Sequence, residues 1–223
     1  MLTLHHLNNS RSQRVLWLLE ELGIDYELKR YERDPKTDLA PESLKAIHPL
    51  GKSPVITDGD ITVAESAVII NHLINQYGAS KGLIPGAGTE AARQSEYWLH
   101  YAEGSLMPFL LLSLIFTKVR TAPMPFFARP VAKGIADQVS KSFVSPNVIN
   151  HLTYINDHLG KNEWFAGEQM TAADFQMSFP LEAAISRAPK DAPLENIRAW
   201  VAKVHSRPAY QAALKKGGEY AYA

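Results

Sequence analysis

Apolar and polar positions change their spacing repeatedly over the first half of the chain. Residues 2–7, LTLHHL, are apolar enough to predict a short strand. Residues 11–22 carry apolar side chains at helical spacing and are followed by Gly23, so they predict a helix that ends there. Residues 24–31, IDYELKRY, alternate apolar and polar side chains and predict a half-buried strand.

The pattern then predicts one more helix, a hairpin and a third helix. Residues 41–49, PESLKAIHP, predict a short helix that a proline ends. PVITDGDITVA predicts two strands joined at Asp58-Gly59, a pair typical of a hairpin turn. Residues 65–77 carry one apolar stripe and predict another helix. The order βαβ-α-ββα indicates a small α/β domain.

A glycine-rich stretch separates this region from a helical pattern. We divide the chain into an α/β domain at residues 1–79, a linker at 80–90 and an all-α domain at 91–223. The first long pattern predicts either one helix or a kinked pair broken by Gly104 and Pro108, and residues 145–147, SPN, are a candidate interruption of the second. The helices predicted in the second domain are residues 91–116, 131–159, 171–187, 194–205 and 208–215.

Composition excludes several classes of partner and site. The 23 basic residues equal the 23 acidic ones, so no net field attracts nucleic acid or an anionic membrane. The absence of cysteine excludes disulfides, thiolate metal sites and a cysteine nucleophile. The eight histidines form no HxH or HExxH pattern, so no metal site is expected.

Two segments bear on location. The first residues show neither a basic region nor the apolar core of a signal peptide. Residues 106–116, LMPFLLLSLIF, are too few to span a bilayer and contain Pro108. We expect this segment to be a buried helix in a cytoplasmic protein.

Pro54, in GKSPVI, admits two interpretations. It can be an ordinary trans proline at the first position of a strand. Alternatively, its bond to Ser53 is cis and the main-chain groups of Val55 face outward. An extended peptide could then pair with Val55 as one more strand.

Glu65 and Ser66, in AESA, also admit two interpretations. They can be an ordinary cap at the start of a helix. Alternatively, the helix start and the Ser66 hydroxyl bind a carboxylate while Glu65 pairs with an amino group. A ligand with both an α-amino and an α-carboxyl group would fit the second interpretation.

Four segments together resemble the cytosolic glutathione transferases over nearly the whole chain. They are SRSQRVLWLLEELG, IHPLGKSPVITDGD, ITVAESAVIINHL and FAGEQMTAADF. The resemblance is nearest to the serine-type, theta-like branch of fungi and bacteria. It implies a thioredoxin-like N-terminal domain followed by an all-α domain, glutathione as co-substrate without a metal, and a homodimer.

The resemblance also implies a role for each residue of the peptide site. In the SPV segment it implies a cis bond between Ser53 and Pro54, and it places the cysteinyl main chain of glutathione on Val55. It assigns Lys52 to the glycine carboxylate. It assigns the binding of the γ-glutamyl end to Glu65 and Ser66. TAAD, residues 171–174, matches the capping box of the family and is expected to be structural.

The polar stretch before the first helix holds the candidates for activating the thiol. On its residues alone, Ser10-x-x-Gln13 is a capping box, and Ser12 is an alternative cap. The resemblance places the hydroxyl that faces the glutathione sulfur on Ser10. Asn9 and Ser12 are secondary candidates, and the cation of Arg11 would also favour a thiolate.

The predicted function is transfer of the glutathione thiolate to hydrophobic electrophiles, with peroxide reduction as a secondary activity. We expect Tyr101, Leu106 and Phe109 to line the electrophile site, because an apolar interdomain wall is the usual place for such a ligand. Two other functions fit the same scaffold. One is a glutathione-dependent disulfide reductase, and the other is a non-catalytic ligand-binding or interaction protein.

Overall fold

A computed structural model describes residues 1–37 and 39–222. The N-terminal half contains a four-stranded sheet in the order β2-β1-β3-β4. Its strands are β1 (Leu2–Leu7), β2 (Glu27–Tyr31), β3 (Val55–Asp58) and β4 (Ile61–Ala64). β1 runs parallel to β2 and antiparallel to β3, which pairs antiparallel with β4. The predicted strands are confirmed, although β2 begins at Glu27 and not at Ile24.

Three helices accompany the sheet, as the periodicity predicts. They are α1 (Ser12–Leu22), α2 (Glu42–Lys45) and α3 (Ser66–Tyr77). Gly23 ends α1 with a left-handed backbone at φ 66°, a conformation that glycine adopts without steric cost. α2 is shorter than predicted, because the chain turns after Lys45. Gly51, farther along this turn region, has a positive φ of 55°.

The second half is built from helices. They are α4 (Glu90–Tyr101), α5 (Met107–Thr121), α6 (Arg129–Val139), α7 (Ser145–Leu159), α8 (Ala172–Arg187), α9 (Glu195–His205) and α10 (Pro208–Gly217). A π-helical segment, Ala102–Leu106, joins α4 to α5, and a second, Ser140–Val144, joins α6 to α7. The prediction of an α/β domain followed by an all-α domain is confirmed.

The candidate helix breaks at the prolines are replaced by the π-helical segments. Pro108 and Pro146 each lie in the first turn after a π segment, so the chain stays helical from 90 to 121 and from 129 to 159. Each proline therefore stands where the local hydrogen-bond pattern already changes. The one-helix alternative is therefore correct for the first pattern, and the interruption at residues 145–147 does not occur.

The expectation that residues 106–116 form a buried helix was also wrong. Leu106, Met107 and Leu110 are buried, but Leu111 and Ile115 on the opposite face are 48% and 44% exposed. The continuous helix Glu90–Thr121 is long and apolar enough to cross a membrane by length and composition, and 22% of its most apolar window is buried. Length and composition alone are weak evidence for a span, because core helices pass the same test.

One apolar core extends through both halves and is centred on α1 and α8. The ring of Trp17 lies 4.4 Å from that of Phe175 and 5.8 Å from that of Tyr210. The predicted capping box begins α8, where Asp174 accepts a hydrogen bond from the Thr171 amide at 2.8 Å. Because α1 packs on both halves, its first turn lies at the cleft between them.

Candidate active site

Two adjoining cavities occupy the cleft between the halves. The inner cavity, of about 520 Å³, is bordered by the start of α3, the segment before β3, and the α4 end. The outer cavity, of about 730 Å³, is bordered by the loop before α1, by α5 and by the C-terminal tail. The residues that line both are Arg11, Leu50, Lys52 and Ser53.

The peptide bond between Ser53 and Pro54 is cis, as the second interpretation of GKSPVI requires. Pro54 and Val55 line the inner cavity, but the strand pairing of Val55 does not favour its main chain as the one that binds an added peptide. Val55 lies in register with His5 on one side and with Ala64 on the other. Its main-chain groups therefore face neighbouring strands, because a strand's donors and acceptors lie in the plane of its sheet.

Ser53 is better placed to pair with a peptide than Val55. It precedes β3 and lines both cavities. Its side chain is fixed to β1, because Oγ donates to the His5 carbonyl at 2.9 Å and accepts the Leu7 amide at 3.2 Å. This anchoring holds the Ser53 main chain at the junction of the cavities.

Glu65 and Ser66 stand at the start of α3 and line the inner cavity. No side chain caps this helix start, so the capping interpretation of AESA is not what the structure shows. Glu65 has a positive φ of 70°, an uncommon conformation for a residue with a side chain. Strain of this kind persists where the surroundings fix it, often at a ligand site.

Lys52 completes the polar lining predicted for the inner cavity. Its side chain is exposed and it borders both cavities. In the described ranges, neither Lys52 nor Glu65 has an ion-pair partner. A cation and a carboxylate in one cavity match a zwitterionic peptide.

Ser10 takes part in a buried hydrogen-bond network at the start of α1. Its Oγ donates to the Leu7 carbonyl at 2.7 Å and accepts the Ser12 amide at 3.2 Å. Ser12 Oγ lies 2.8 Å from both Ser10 Oγ and His6 Nδ1. Ser10 itself therefore satisfies an amide at the helix start, and its hydroxyl must turn away from Leu7 to donate to a ligand.

His6 supports this network as a neutral ring. Burial, with a smaller contribution from Arg30, lowers the pKa of His6 to about 4. The Gly217 main chain accepts from the ring, which leaves Nδ1 as the acceptor for the Ser12 hydroxyl. The Ser12 hydroxyl can then donate to His6, with the Leu7 carbonyl at 3.3 Å as a second acceptor, and the Ser10 hydroxyl can donate to Leu7 or to Ser12.

Arg11 is the candidate that reaches both cavities. Its Nε donates to the two carboxylate oxygens of Glu103 at 2.9 and 3.0 Å. Arg14, which is fully buried, donates to Glu103 at 2.9 Å and to Gln176 at 2.8 Å. Burial raises the pKa of Glu103, but the two guanidinium groups outweigh burial and hold that pKa below its ordinary value.

Asn9 ties the same loop to the C-terminal tail, which we define as residues 218–222. Asn9 has a positive φ of 47°, and its Oδ1 accepts the amide of Ala221 at 2.8 Å. Asn9 lines the outer cavity together with Ala221 and Tyr222. Its side chain is therefore used to hold the tail across this cavity.

The arrangement agrees with comparisons to known proteins. The model for the glutathione S-transferase N-terminal domain matches residues 1–75, and the model for the C-terminal domain of that family matches residues 121–217. Glutathione S-transferase 3 of Schizosaccharomyces pombe is 39% identical over 218 residues, covering 97% of this chain and 88% of that protein. The chain belongs to the glutathione S-transferase family.

Further relatives span fungi and bacteria. Glutathione S-transferase 1 of Saccharomyces cerevisiae is 34% identical, covering 97% of this chain and 95% of that protein. A solved glutathione S-transferase from Actinobacillus pleuropneumoniae superposes with a TM-score of 0.79 at 35% identity, covering 100% of this chain and 95% of that one. The chain is thus a glutathione transferase, and its assignment to the theta-like branch stays a prediction.

The electrophile-site residues predicted for this transferase lie elsewhere. Tyr101 is buried and its hydroxyl contacts His151, while Leu106 is fully buried in the core. The ring of Phe109 packs against His151 at 5.2 Å and against Phe143 at 5.9 Å. None of the three predicted residues lines the inner or the outer cavity.

The π-helical segment Ala102–Leu106 affects which face the residues after it present, including Phe109. The Met107 amide bonds to the Ala102 carbonyl, five residues back, so this turn holds one residue more than an α-helical turn. One residue corresponds to a rotation of about 100° around a helix axis. The apolar wall of the outer cavity is formed instead by Met107, Leu111, Leu114 and Phe179.

Sequence reasoning also missed polar residues of the second half. Glu103 and Gln176 line the inner cavity and hold Arg11 and Arg14, and Arg187 lines the outer cavity. Glu103 interrupts an apolar stretch, and Gln176 lies on a helix whose neighbours are apolar. A polar residue on an otherwise apolar helix could have indicated a site of this kind, because a buried polar side chain needs a hydrogen-bond partner.

Proposed function

We propose that this transferase binds glutathione as an extended peptide in the inner cavity and transfers its thiolate to a hydrophobic electrophile in the outer cavity. One observation carries the proposal. Lys52, Ser53, Glu65 and Ser66, separated in sequence, line one cavity, and that cavity adjoins an apolar one at Arg11. Solved transferases of this fold from a sphingomonad and from Xanthomonas axonopodis carry glutathione.

The polar groups of the inner cavity suit the two ends of the tripeptide. Glu65 would bind the α-amino group of the γ-glutamyl residue, and the Ser66 hydroxyl with the start of α3 would bind its carboxylate. Lys52 would bind the glycine carboxylate. The Ser53 main chain would pair with the cysteinyl residue, in place of Val55.

The cysteinyl sulfur would then lie where the two cavities meet, beside the first turn of α1. A free thiol has a pKa of about 8.5, and the thiolate is the nucleophile. The Arg11 cation, the helix start and a hydroxyl turned from Leu7 toward the sulfur would all favour the thiolate. We assign the hydroxyl to Ser10 and the cation to Arg11.

The reaction then needs no covalent bond to the protein. The thiol proton passes to solvent, the sulfur forms a bond to the electrophilic carbon, and a leaving group departs with its electron pair or an activated double bond receives the electrons. Reduction of an organic peroxide by two glutathione molecules, giving an alcohol, water and glutathione disulfide, is the secondary activity that we include in the proposal.

Glutathione calorimetry on Glu65→Gln tests the binding part. Loss of a charge-assisted hydrogen bond predicts roughly tenfold weaker binding, because such bonds contribute about 1.5–3 kcal/mol. Glu168→Gln is the control, since Glu168 is an exposed glutamate outside both cavities. Equal affinity for wild type and Glu65→Gln would place the γ-glutamyl end elsewhere.

Turnover of a chlorinated nitroaromatic, compared with that of a small disulfide, tests the reaction part. We expect faster consumption of the aromatic compound. Preferential disulfide reduction would identify a disulfide reductase. Glutathione binding without either activity would identify a binding protein.

We further propose that the protein is a cytoplasmic homodimer in which the small domain of one subunit packs on the helical domain of the other. Exposed apolar side chains support such a contact on both domains. Ile61 and Val68 are 49% and 54% exposed on the first, and Tyr97 and Tyr154 are 45% and 47% exposed on the second. Sedimentation at micromolar concentration tests the proposal, and a monomer there would contradict it.

A further inference from the structure

Arg187 is a cation of the outer cavity whose hydrogen-bond partner is a neutral hydroxyl. It is the last residue of α8, is half-buried and lines the cavity. Its guanidinium donates to the Tyr222 hydroxyl and lies 5.3 Å from the centre of that ring. Within residues 1–37 and 39–222, no carboxylate lies within ion-pair distance of it.

The other cations around the outer cavity differ from Arg187. Arg11 pairs with Glu103 at 2.9 Å, and Lys45 pairs with Glu42 at 2.7 Å. The Arg33 guanidinium donates to main-chain oxygens of the loop before α1. Lys52 is the residue assigned to the glycine carboxylate under the proposed function. Arg187 thus differs in that its guanidinium is bonded to the neutral hydroxyl of Tyr222.

The cavity that Arg187 lines has an apolar wall in addition to its polar side chains. Met107, Leu111, Leu114 and Phe179 line the same cavity. Tyr222 packs edge-on against Phe179, with ring centres 5.7 Å apart. Because the tail is tied to the loop before α1 by the Ala221 amide, Tyr222 is held beside the guanidinium. Because Arg187 is half-buried and lies over the Tyr222 ring, it gains more from an anion than a fully exposed cation does.

We propose that Arg187, oriented by Tyr222, is an anion-binding subsite of the electrophile cavity. The favoured electrophiles then have an apolar body and a carboxylate, which the planar guanidinium can bind through two hydrogen bonds. The carboxylate takes no part in the reaction and fixes the electrophilic carbon relative to the sulfur. This inference rests on the proposed function and adds the class of substrate to it.

A matched pair of aromatic substrates tests the subsite. In 4-chloro-3-nitrobenzoate and its methyl ester, the glutathione sulfur bonds to the carbon that carries chlorine, the carbon–chlorine bond breaks, and chloride leaves with the electron pair. The two compounds differ in charge. Taking the ratio of their kcat/KM values, and comparing that ratio between variants, cancels their different intrinsic reactivity.

Arg187→Gln should lower the acid-to-ester ratio of kcat/KM about tenfold relative to wild type, the loss expected for one charge-assisted contact. Lys190→Gln is the control, because it removes the same charge from an exposed residue three positions away that lies outside the cavity. Arg187→Lys keeps the charge but loses the two-fold hydrogen bonding, so it should lie between wild type and Arg187→Gln.

An unchanged ratio in Arg187→Gln, or an equal fall in Lys190→Gln, would overturn the subsite. If Arg187→Gln does not fold, an Arg187→Lys ratio equal to that of wild type would overturn it instead. Failure of the proposed function gives a different result, because wild type would then turn over neither the acid nor the ester.

Discussion

Ser10 has a role in the fold that is compatible with the role proposed for it in the reaction. Its hydroxyl donates to the Leu7 carbonyl and accepts the Ser12 amide. The predicted capping box with Gln13 is not formed, and Arg11 is the N-cap of α1. A hydroxyl can exchange one acceptor for another by rotating, whereas its lone pair can keep the Ser12 amide. The sequence pattern alone did not distinguish Ser10 from Ser12, because only the fold places Ser12 against His6.

Ser10→Ala should lower kcat about tenfold, equivalent to about 1.4 kcal/mol, and leave glutathione affinity within twofold. Ser12→Ala is the matched control, since it removes a hydroxyl from the same network on the side of His6. Steady-state kinetics and calorimetry of both variants measure this. An equal loss of kcat in the two variants would mean that the network matters only for structure.

At the scale of elements, His6 on β1 connects the start of α1 with the end of α10. It contacts Ser12 at the first residue of α1 and Gly217 at the last residue of α10. Periodicity predicts each of these elements, because burial repeats with the period of a helix or strand. It does not predict the contact, since that depends on how the elements pack.

This connection makes stability depend on pH in a defined direction. Folding lowers the pKa of His6 from 6.5 to about 4, so the stability contribution is complete above pH 6.5 and is lost as pH falls toward 4. Between about pH 7.5 and about pH 4.5, wild type should lose about 2 kcal/mol more unfolding free energy than His6→Gln. Denaturant unfolding at both pH values measures this.

His100→Gln is the control for the pH experiment, because the His100 side chain is 73% exposed. This variant should follow wild type at both pH values. A His6→Gln variant that loses as much stability as wild type would show that another group carries the pH dependence.

The π-helical segment Ala102–Leu106 shows that the spacing of apolar residues does not determine which face of a helix lines a cavity. The apolar stripe of residues 91–116 correctly indicates a helix, but one inserted residue rotates everything after it. Leu106 therefore enters the core while Met107 reaches the cavity. A rotation of this kind leaves no trace in a pattern of apolar positions, because residues 106–116, which follow the π segment's start, are apolar on nearly all sides.

For the whole molecule, Glu103 joins the two halves at the reaction site. It comes from the helical half and pairs with Arg11 and Arg14 of α1 and its preceding loop. Most residues proposed to bind the peptide come from local motifs, so the sequence could indicate them, although Ser53 replaces Val55 in the proposal. The residues that hold Arg11 and Arg14 across the cleft could not be predicted, since the bonded partners lie 89 or more positions apart.

Glu103→Gln should lower the free energy of unfolding by about 2 kcal/mol, because buried Arg14 loses its counter-charge. The value is below that for a fully buried pair, since the Glu103 side chain is 34% exposed. Glu163→Gln is the control, because it breaks a surface pair with Lys203 and should cost less than about 1 kcal/mol. Equal losses in denaturant unfolding would show that the bridge does not hold the halves together.

The most direct test of the central claim is the pKa of the glutathione thiol when bound to the wild-type protein. Ultraviolet absorbance of the thiolate, followed against pH with glutathione at saturation, gives this value. Placement of the sulfur beside Arg11 and the start of α1 predicts a pKa near 7, below the ordinary value of about 8.5. Glutathione that binds but titrates near 8.5 would contradict the claim that this site activates the thiol.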